Sequence, residues 1–259
     1  MSYLPDAASV RAVWTINMKA MILAAGYGTR LRPLTDTTPK ALVAIKGVPL
    51  LEIVMRRLLA AGVEGVIINT HHLTDQVTTF VRTHIDWSIR VALSHEKHLL
   101  NTGGGLQQAG WFFDDAQPFF VHNVDVVSNI DLPKMYRYHQ ECGALATLAV
   151  KSRPTKRYLL FDEELVLCGR KSLATNQSTV VRQPRRQLRE LAFGGIHIIS
   201  PALLGMMSET GAFSIIDTYL RLASRGEKIV AFDTAEYEWY DAGKLDSLNQ
   251  LARHSQPFW

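Results

Sequence analysis

Residues 19–42 read KAMILAAGYGTRLRPLTDTTPKAL: an apolar run that breaks into two glycines, two arginines, two prolines and, at the end, a lysine. The run KAMILAA suits a buried strand, and the residues after it suit the turn that leaves that strand. In an open parallel sheet this turn lies beyond the carboxyl end of the first strand, where anionic ligands bind. Gly26 and Gly28 let a backbone approach an anion closely. Two familiar phosphate loops are absent. No Gly-Lys-Ser/Thr occurs, which excludes GxxxxGK[ST], and the GxGxxG pattern fails at its third position, Leu31. The cations distinguish this turn from a plain connection. Arg30 and Arg32 lie just past the glycines, and Lys40 follows Pro39, whose fixed φ directs it. Arginine grips phosphate bidentately and lysine adds a point charge, so the stretch suits a triphosphate.

Working outward, strands and amphipathic helices alternate. Residues 49–62 (PLLEIVMRRLLAAG) place Pro49 where a first helical turn tolerates it and Gly62 where a helix stops. GVIINT (65–70) is a strand, 74–84 a helix, IRVALS (89–94) a strand. A helix is expected after NTGGG (101–105), then the strand PFFVHNVD (118–125) and a helix over 132–140. Such repetition predicts an α/β fold, Rossmann-like, with a mixed, mostly parallel sheet and helices on both faces. Past Gly143 the pattern changes. ALATLAV (144–150), RYLLFD (157–162) and LVLCG (165–169), with an acidic turn at 162–164, predict a small antiparallel excursion on the substrate side. The strand LAFGGIHIIS (191–200), a helix near 215–224, the strand KIVAFDT (228–234) and a helix from Lys244 complete the pattern. Residues 1–17 lack any sustained period and are expected as a terminal extension, with 18–259 as one domain.

Apolar residues make up 47% of the 259, enough for a real core, and no apolar run reaches the ~18 to 20 residues of a membrane span. A cytoplasmic protein with no membrane partner is expected. Cys142 and Cys168 stand far apart, outside any metal-ligand spacing, and read as reduced thiols. The net charge of +4 is modest. Its one dense basic run, RQPRRQLR (182–189), lacks the interleaved aromatics that stack on bases, so no nucleic-acid partner is expected.

The stretch MILAAGYGTRLRPLTDTTPKAL matches G-x-G-T-R-x-x-P-x-T-x-x-x-P-K throughout and resembles the signature of sugar-1-phosphate nucleotidylyltransferases. The similarity continues through NTGGG, HNVD, FGGIHIISP and WYDAG, and in length and its last two motifs the chain is most similar to short bacterial members. The resemblance implies transfer of a nucleotidyl group from an NTP to a sugar 1-phosphate, with Mg²⁺ as cofactor. A sugar 1-phosphate is already mostly dianionic near pH 7, so no protein nucleophile or base is needed. By resemblance, Asp125 and Asp241 jointly hold Mg²⁺. Arg30 is the candidate for the β- and γ-phosphates, and Lys40 for the α-phosphate and the sugar phosphate. Ala24, Gly26, Gly28 and Thr29 belong to the nucleotide turn, Gly103 and Gly104 lie against the base, and His71 stands where relatives place a base-contacting polar residue. Asn123 and Gly195 fall on the sugar side, with Arg182 behind them.

The chain departs from the family pattern at three places. Val124 stands where many relatives have glycine between Asn and Asp, RQP (182–184) stands for Glu-Lys-Pro, and Leu159 replaces a glycine of relatives that accept glucose 1-phosphate. UTP and GTP both stay open, as do muramic, heptose, mannose and glucosamine-type acceptors and the oligomeric state. A small-molecule kinase and a non-catalytic nucleotide-sugar-binding paralogue are the rival readings.

Overall fold

In the computed structural model, residues 18–83 and 89–254 are described; the expected extension (1–17) and His84 lie outside them. In chain order the elements are β1 (Met18–Leu23), β2 (Ala44–Ile45), β3 (Val48–Pro49), α1 (Leu50–Ala60), β4 (Val63–Thr70), α2 (Thr74–Thr83), β5 (Arg90–His95) and α3 (Asn101–Ala109). Next come β6 (Phe119–Asn123), β7 (Val126–Ser128), α4 (Leu132–Cys142), β8 (Ala146–Lys151), β9 (Arg157–Phe161), β10 (Leu167–Ser172) and β11 (Gln177–Val180). The chain then forms β12 (Arg189–Ile199), α5 (Ala202–Met206), α6 (Ile215–Ser224), β13 (Ile229–Asp233), β14 (Trp239–Asp241) and α7 (Leu245–Arg253).

The fold is the expected α/β type. Strands β5, β4, β1 and β6 lie side by side and parallel, with β1 at the centre. Strand β12 runs antiparallel to β6 and passes the sheet on to β9, β10 and β11, the antiparallel excursion, while β8 leaves β12 and pairs in parallel with β13. Because strand side chains alternate, β1 divides its own between two cores. Ala20 and Ile22 join the cluster under α1, α2, α4 and α7; Met21 joins the one under α3, α5 and α6. A strand covered on both faces has to be apolar throughout, which is why KAMILAA carries no alternation.

Two local outcomes bear on the site. Pro49 sits at the N-cap of α1, one residue before the helix, and Gly62 just past its end has φ +90°. More consequentially, NTGGG does not precede a helix but forms the first half of α3. Each glycine inside a helix costs about 1 kcal/mol against alanine, and close packing outweighs that here. A Cβ on Gly103 would lie 2.3 Å from the Phe213 ring, on Gly104 2.3 Å from the Gly211 carbonyl oxygen, and on Gly105 2.5 Å from Glu96 Oε1.

Candidate active site

Strand β1 ends at Leu23 because the next amide is diverted sideways: Ala24 N donates to Asn69 Oδ1 at 2.7 Å. Asn69 Nδ2 in turn donates to Glu96 Oε1 at 2.6 Å, and Leu100 N donates to Glu96 Oε2 at 2.8 Å. Glu96 is fully buried. This chain of bonds ties the ends of β1, β4 and β5 to the start of α3 and fixes the glycine-rich turn against it. Within the turn, Gly28 has φ +68°, and the Thr35 hydroxyl donates to its carbonyl at 2.9 Å. Thr29 opens a single helical turn, Thr29–Leu31, and is exposed. The place a Gly26 side chain would take lies 3.8 Å from Lys40 Nζ, so the lysine reaches back to the turn.

Asp125 and Asp241 are 116 positions apart in sequence and converge because β7 pairs antiparallel with β14, setting Val126 opposite Asp241. Ala242 N donates to the Asp125 carbonyl at 2.7 Å and locks the junction. Gly243 closes it from above: a Cβ there would lie 2.6 Å from Asp125 Oδ2, 2.8 Å from Arg30 Nη2 and 3.0 Å from Asp241 Oδ1. Two acids and a cation thus face one point. Lys40 Nζ donates to Asp125 Oδ2 at 2.9 Å; Arg30 Nη1 donates to Asp241 Oδ2 at 2.9 Å and its Nη2 stands 3.6 Å from Asp125 Oδ2. Arg32 is directed elsewhere, to an exposed pair with Asp36.

The donor set suits a hard cation. Two carboxylates share a small volume, and no group of three His, Cys, Asp or Glu that could hold a metal occurs among the described residues. Magnesium takes one or two carboxylates and completes its shell with water and substrate phosphates, so the pair fits it. Val124, the departure between Asn and Asp, points its side chain into the core while its amide donates to Leu23 O at 3.1 Å. The strand end is anchored without a glycine.

A cleft of about 940 Å³ opens at both carboxylates and a smaller one of about 200 Å³ adjoins Asp125; Asn101, Thr102, Asn123 and Asp125 line both. Gly26 and Lys40 line the smaller. Asn123 and Gly195 line the larger, where Asn123 Nδ2 lies 2.7 Å from the place a Gly195 side chain would take. Leu159 lines it too.

Gly103, Gly104, His71 and Arg182 stand outside the lining of both clefts. Gly103 and Gly104 do not face a cleft: Phe213 and Gly211 fill the space before them, and Gly103 N donates to Phe213 O at 2.9 Å. Asn101 and Thr102 face it instead. Both His71 nitrogens are engaged within the protein, Nδ1 donating to Glu96 O at 2.8 Å and Nε2 accepting from the Tyr27 hydroxyl at 3.0 Å. Since a carbonyl only accepts, this sets the tautomer. Arg182 lies outside the cleft lining and donates to the carbonyls of Gly226 and Glu227 at 3.2 and 3.1 Å. The rest of the basic run is paired, Arg185 with Glu164, Arg186 with Glu163 and Arg189 with Asp233. Besides Arg30, the cations that line the larger cleft come from β9 and β10: Arg157, Arg170 and Lys171, with Arg153 just before them. Sequence reasoning missed these, and it missed Asn69, Glu96 and Gly243. The D-A-G run pointed toward Gly243; nothing local marks Asn69 and Glu96.

His122 and His197 are buried, His197 as part of the wall of the larger cleft, and burial pulls their imidazoles down to about 4 and about 3. Both are neutral structural groups at pH 7. His197 also hydrogen-bonds the Tyr219 hydroxyl.

A family model described as nucleotidyl transferase matches residues 19–256. The chain is 28% identical over 249 residues to a UTP–glucose-1-phosphate uridylyltransferase of Synechocystis, covering 91% of this chain and 63% of that protein. It is 35% identical over 191 residues to mannose-1-phosphate guanylyltransferase catalytic subunit beta of Danio rerio, covering 72% and 51%. It thus spans between about half and two thirds of the length of these relatives. The structure of a UTP-bound UGPase from Acinetobacter baumannii superposes with a TM-score of 0.73 at 17% identity, covering 93% of this chain and 95% of that one, a likeness of fold. With a glycine-rich turn, a lysine reaching back to it and two acids meeting beside it, and with a family model matched over almost the whole chain, this protein belongs to the nucleotidyl transferase family.

Proposed function

We propose that residues 18–259 act as one unit that transfers a nucleotidyl group from UTP or GTP to a sugar 1-phosphate, giving a nucleoside-diphosphate sugar and pyrophosphate. One observation carries this reading. Arg30, Lys40, Asp125 and Asp241, from three remote segments, meet at the mouth of the glycine-rich turn with every charged contact at or below 3.6 Å. One named relative is a UTP–glucose-1-phosphate uridylyltransferase and the other a mannose-1-phosphate guanylyltransferase, which supports both the reaction class and the two nucleotides.

The chemistry asks this chain for positioning and charge neutralisation. The amides of the Ala24–Thr29 turn and the Arg30 guanidinium hold the β- and γ-phosphates. Lys40, held against Gly26, meets the α-phosphate and the incoming sugar phosphate, whose oxygen attacks the α-phosphorus as pyrophosphate leaves. Asp125 and Asp241 would hold Mg²⁺, which when bound neutralises charge gathered on the phosphates. Asn101 and Thr102 replace Gly103 and Gly104 as the groups facing the nucleotide, while Asn123, Gly195 and the β9–β10 cations face the sugar. The cytoplasm, where NTPs are plentiful, suits this chemistry and the two free cysteines.

The test is pyrophosphate release from each NTP against a panel of sugar 1-phosphates with Mg²⁺. Release with UTP or GTP is expected. A nucleoside diphosphate as product would instead identify a kinase, and binding of nucleotide sugars with no turnover would identify a regulatory paralogue.

A further inference from the structure

Cations in the larger cleft divide by whether the protein already answers their charge. Arg30 spans both metal-site aspartates, Arg170 pairs with Asp217 at 2.7 Å and Lys171 with Glu190 at 2.6 Å. Arg153 and Arg157 are different. Among the described residues neither has a carboxylate within the 4.0 Å of an ion pair. Arg157, on β9 opposite Ser172 of β10, has no hydrogen-bond partner for its guanidinium among them either.

Arg153 is held in place without being neutralised. Its guanidinium lies 4.0 Å from the centre of the Trp239 ring, and its Nη2 donates to Phe193 O at 3.1 Å. Trp239 is itself fixed, its Nε1 donating to Gly194 O at 2.7 Å. Stacking on an aromatic face keeps a guanidinium planar and oriented, the state that binds an oxyanion bidentately. Arg153 Nε is buried and has no hydrogen-bond partner. Burial pulls this guanidinium below its ordinary range, with the nearby charge of Asp241 acting against that. A half-buried cation with no carboxylate in ion-pair range is costly to keep, and a ligand anion supplies what the chain does not.

The one phosphate of a sugar 1-phosphate is needed beside Lys40, at the metal-site carboxylates. The two arginines answer to something else. We infer that the acceptor sugar carries a second anionic group, a carboxylate or a further phosphate, and that Arg153 and Arg157 receive it. This rests on the nucleotidyl-transfer reading of the cleft, and it sets the acceptor apart from the neutral sugars in the names of the curated relatives.

The experiment compares matched acceptors on the full chain: glucose 1-phosphate with glucuronate 1-phosphate, galactose 1-phosphate with galacturonate 1-phosphate, and glucose 1,6-bisphosphate. Dissociation constants come from calorimetry, and pyrophosphate release is read in parallel. At least one anionic member is expected to bind tenfold or more tightly than its neutral partner, about 1.4 kcal/mol. That preference is expected to fall at least threefold in Arg157→Gln, whose exposed side chain has no structural partner to lose, and further in Arg153→Gln. Preference for the uronates identifies a carboxylate, and preference for the bisphosphate alone identifies a phosphate. Equal affinity within every pair, or no measurable binding of any member, overturns the inference whatever the turnover. An anionic preference that both variants weaken, without pyrophosphate release, leaves this inference standing and overturns the transfer reaction instead.

Discussion

Gly243→Ala tests the site at its narrowest point. The added methyl would lie 2.6 Å from Asp125 Oδ2 and 2.8 Å from Arg30 Nη2. An ordinary contact needs about 3.4 Å, so the Asp125 carboxylate has to retreat by roughly 0.8 Å or the methyl occupies the space between the acids. Misplacement of about 1 Å in a phosphoryl-type transfer costs on the order of 10²-fold in rate. Folding should hardly notice: Gly243 has no positive φ, and a tolerated Gly→Ala change gains about 0.4 to 1 kcal/mol from the unfolded state. Pyrophosphate release, a Mg²⁺ titration and a thermal melt, all on the full chain, separate the effects. The expected result is turnover down about 100-fold and half-saturating Mg²⁺ raised, with a melting temperature within ~4 °C of the parent. An unchanged rate with unchanged Mg²⁺ dependence would refute the claim that these carboxylates act around one point.

Lys40→Met removes the cation that both lines the smaller cleft and contacts Asp125, and turnover should fall by about 10² to 10³-fold, as when one preorganised donor is lost; steady-state kinetics with saturating substrates checks it. Gly104→Ala drives a methyl to 2.3 Å from the Gly211 carbonyl oxygen, whereas Gly205→Ala meets nothing within 4 Å. The first should cost about 1 to 3 kcal/mol and the second much less, read from paired denaturant titrations. His122 and His197 have folded pKa values lowered to about 4 and about 3, so the unfolded chain binds the extra protons below its own value near 6.5. Their contribution is fully present above pH 6.5 and is lost as pH falls toward 4, at up to about 1.4 kcal/mol per pH unit for each group. Denaturant midpoints at pH 7 and pH 5 should differ accordingly, and His197→Phe should flatten the difference.

Much of the fold was legible because its signals are local. An apolar run without alternation marks a strand covered on both faces, and KAMILAA, GVIINT and the core of PFFVHNVD all became members of the parallel centre. The same logic failed at Asn101–Gly105, where propensity argues against helix and tertiary packing decides the matter: Phe213 and Gly211, more than a hundred residues on, press against the glycines. Charges behaved likewise. Arg30 and Lys40 stand within one short motif, and the motif itself brings them to the turn. Arg182 shares a dense run that looks like a binding patch, yet its partners are carbonyls on a different loop. Arg153, conversely, carries no motif, and it meets Trp239 of the WYDAG run only because β12, β8 and β14 come together beside the cleft. Spacing in sequence reports on neighbours within an element; contacts between elements need the topology.

Two acids remote in the chain, Asp125 and Asp241, are proposed to serve a single divalent ion. A double-mutant cycle reads it directly: Mn²⁺ affinity in the presence of the preferred NTP, measured for the parent, Asp125→Asn, Asp241→Asn and the double variant. If both acids hold the same ion, each single change weakens binding at least tenfold and the double variant falls well short of the product of the two losses. Losses that multiply in full, or parental affinity in either single variant, would contradict the account.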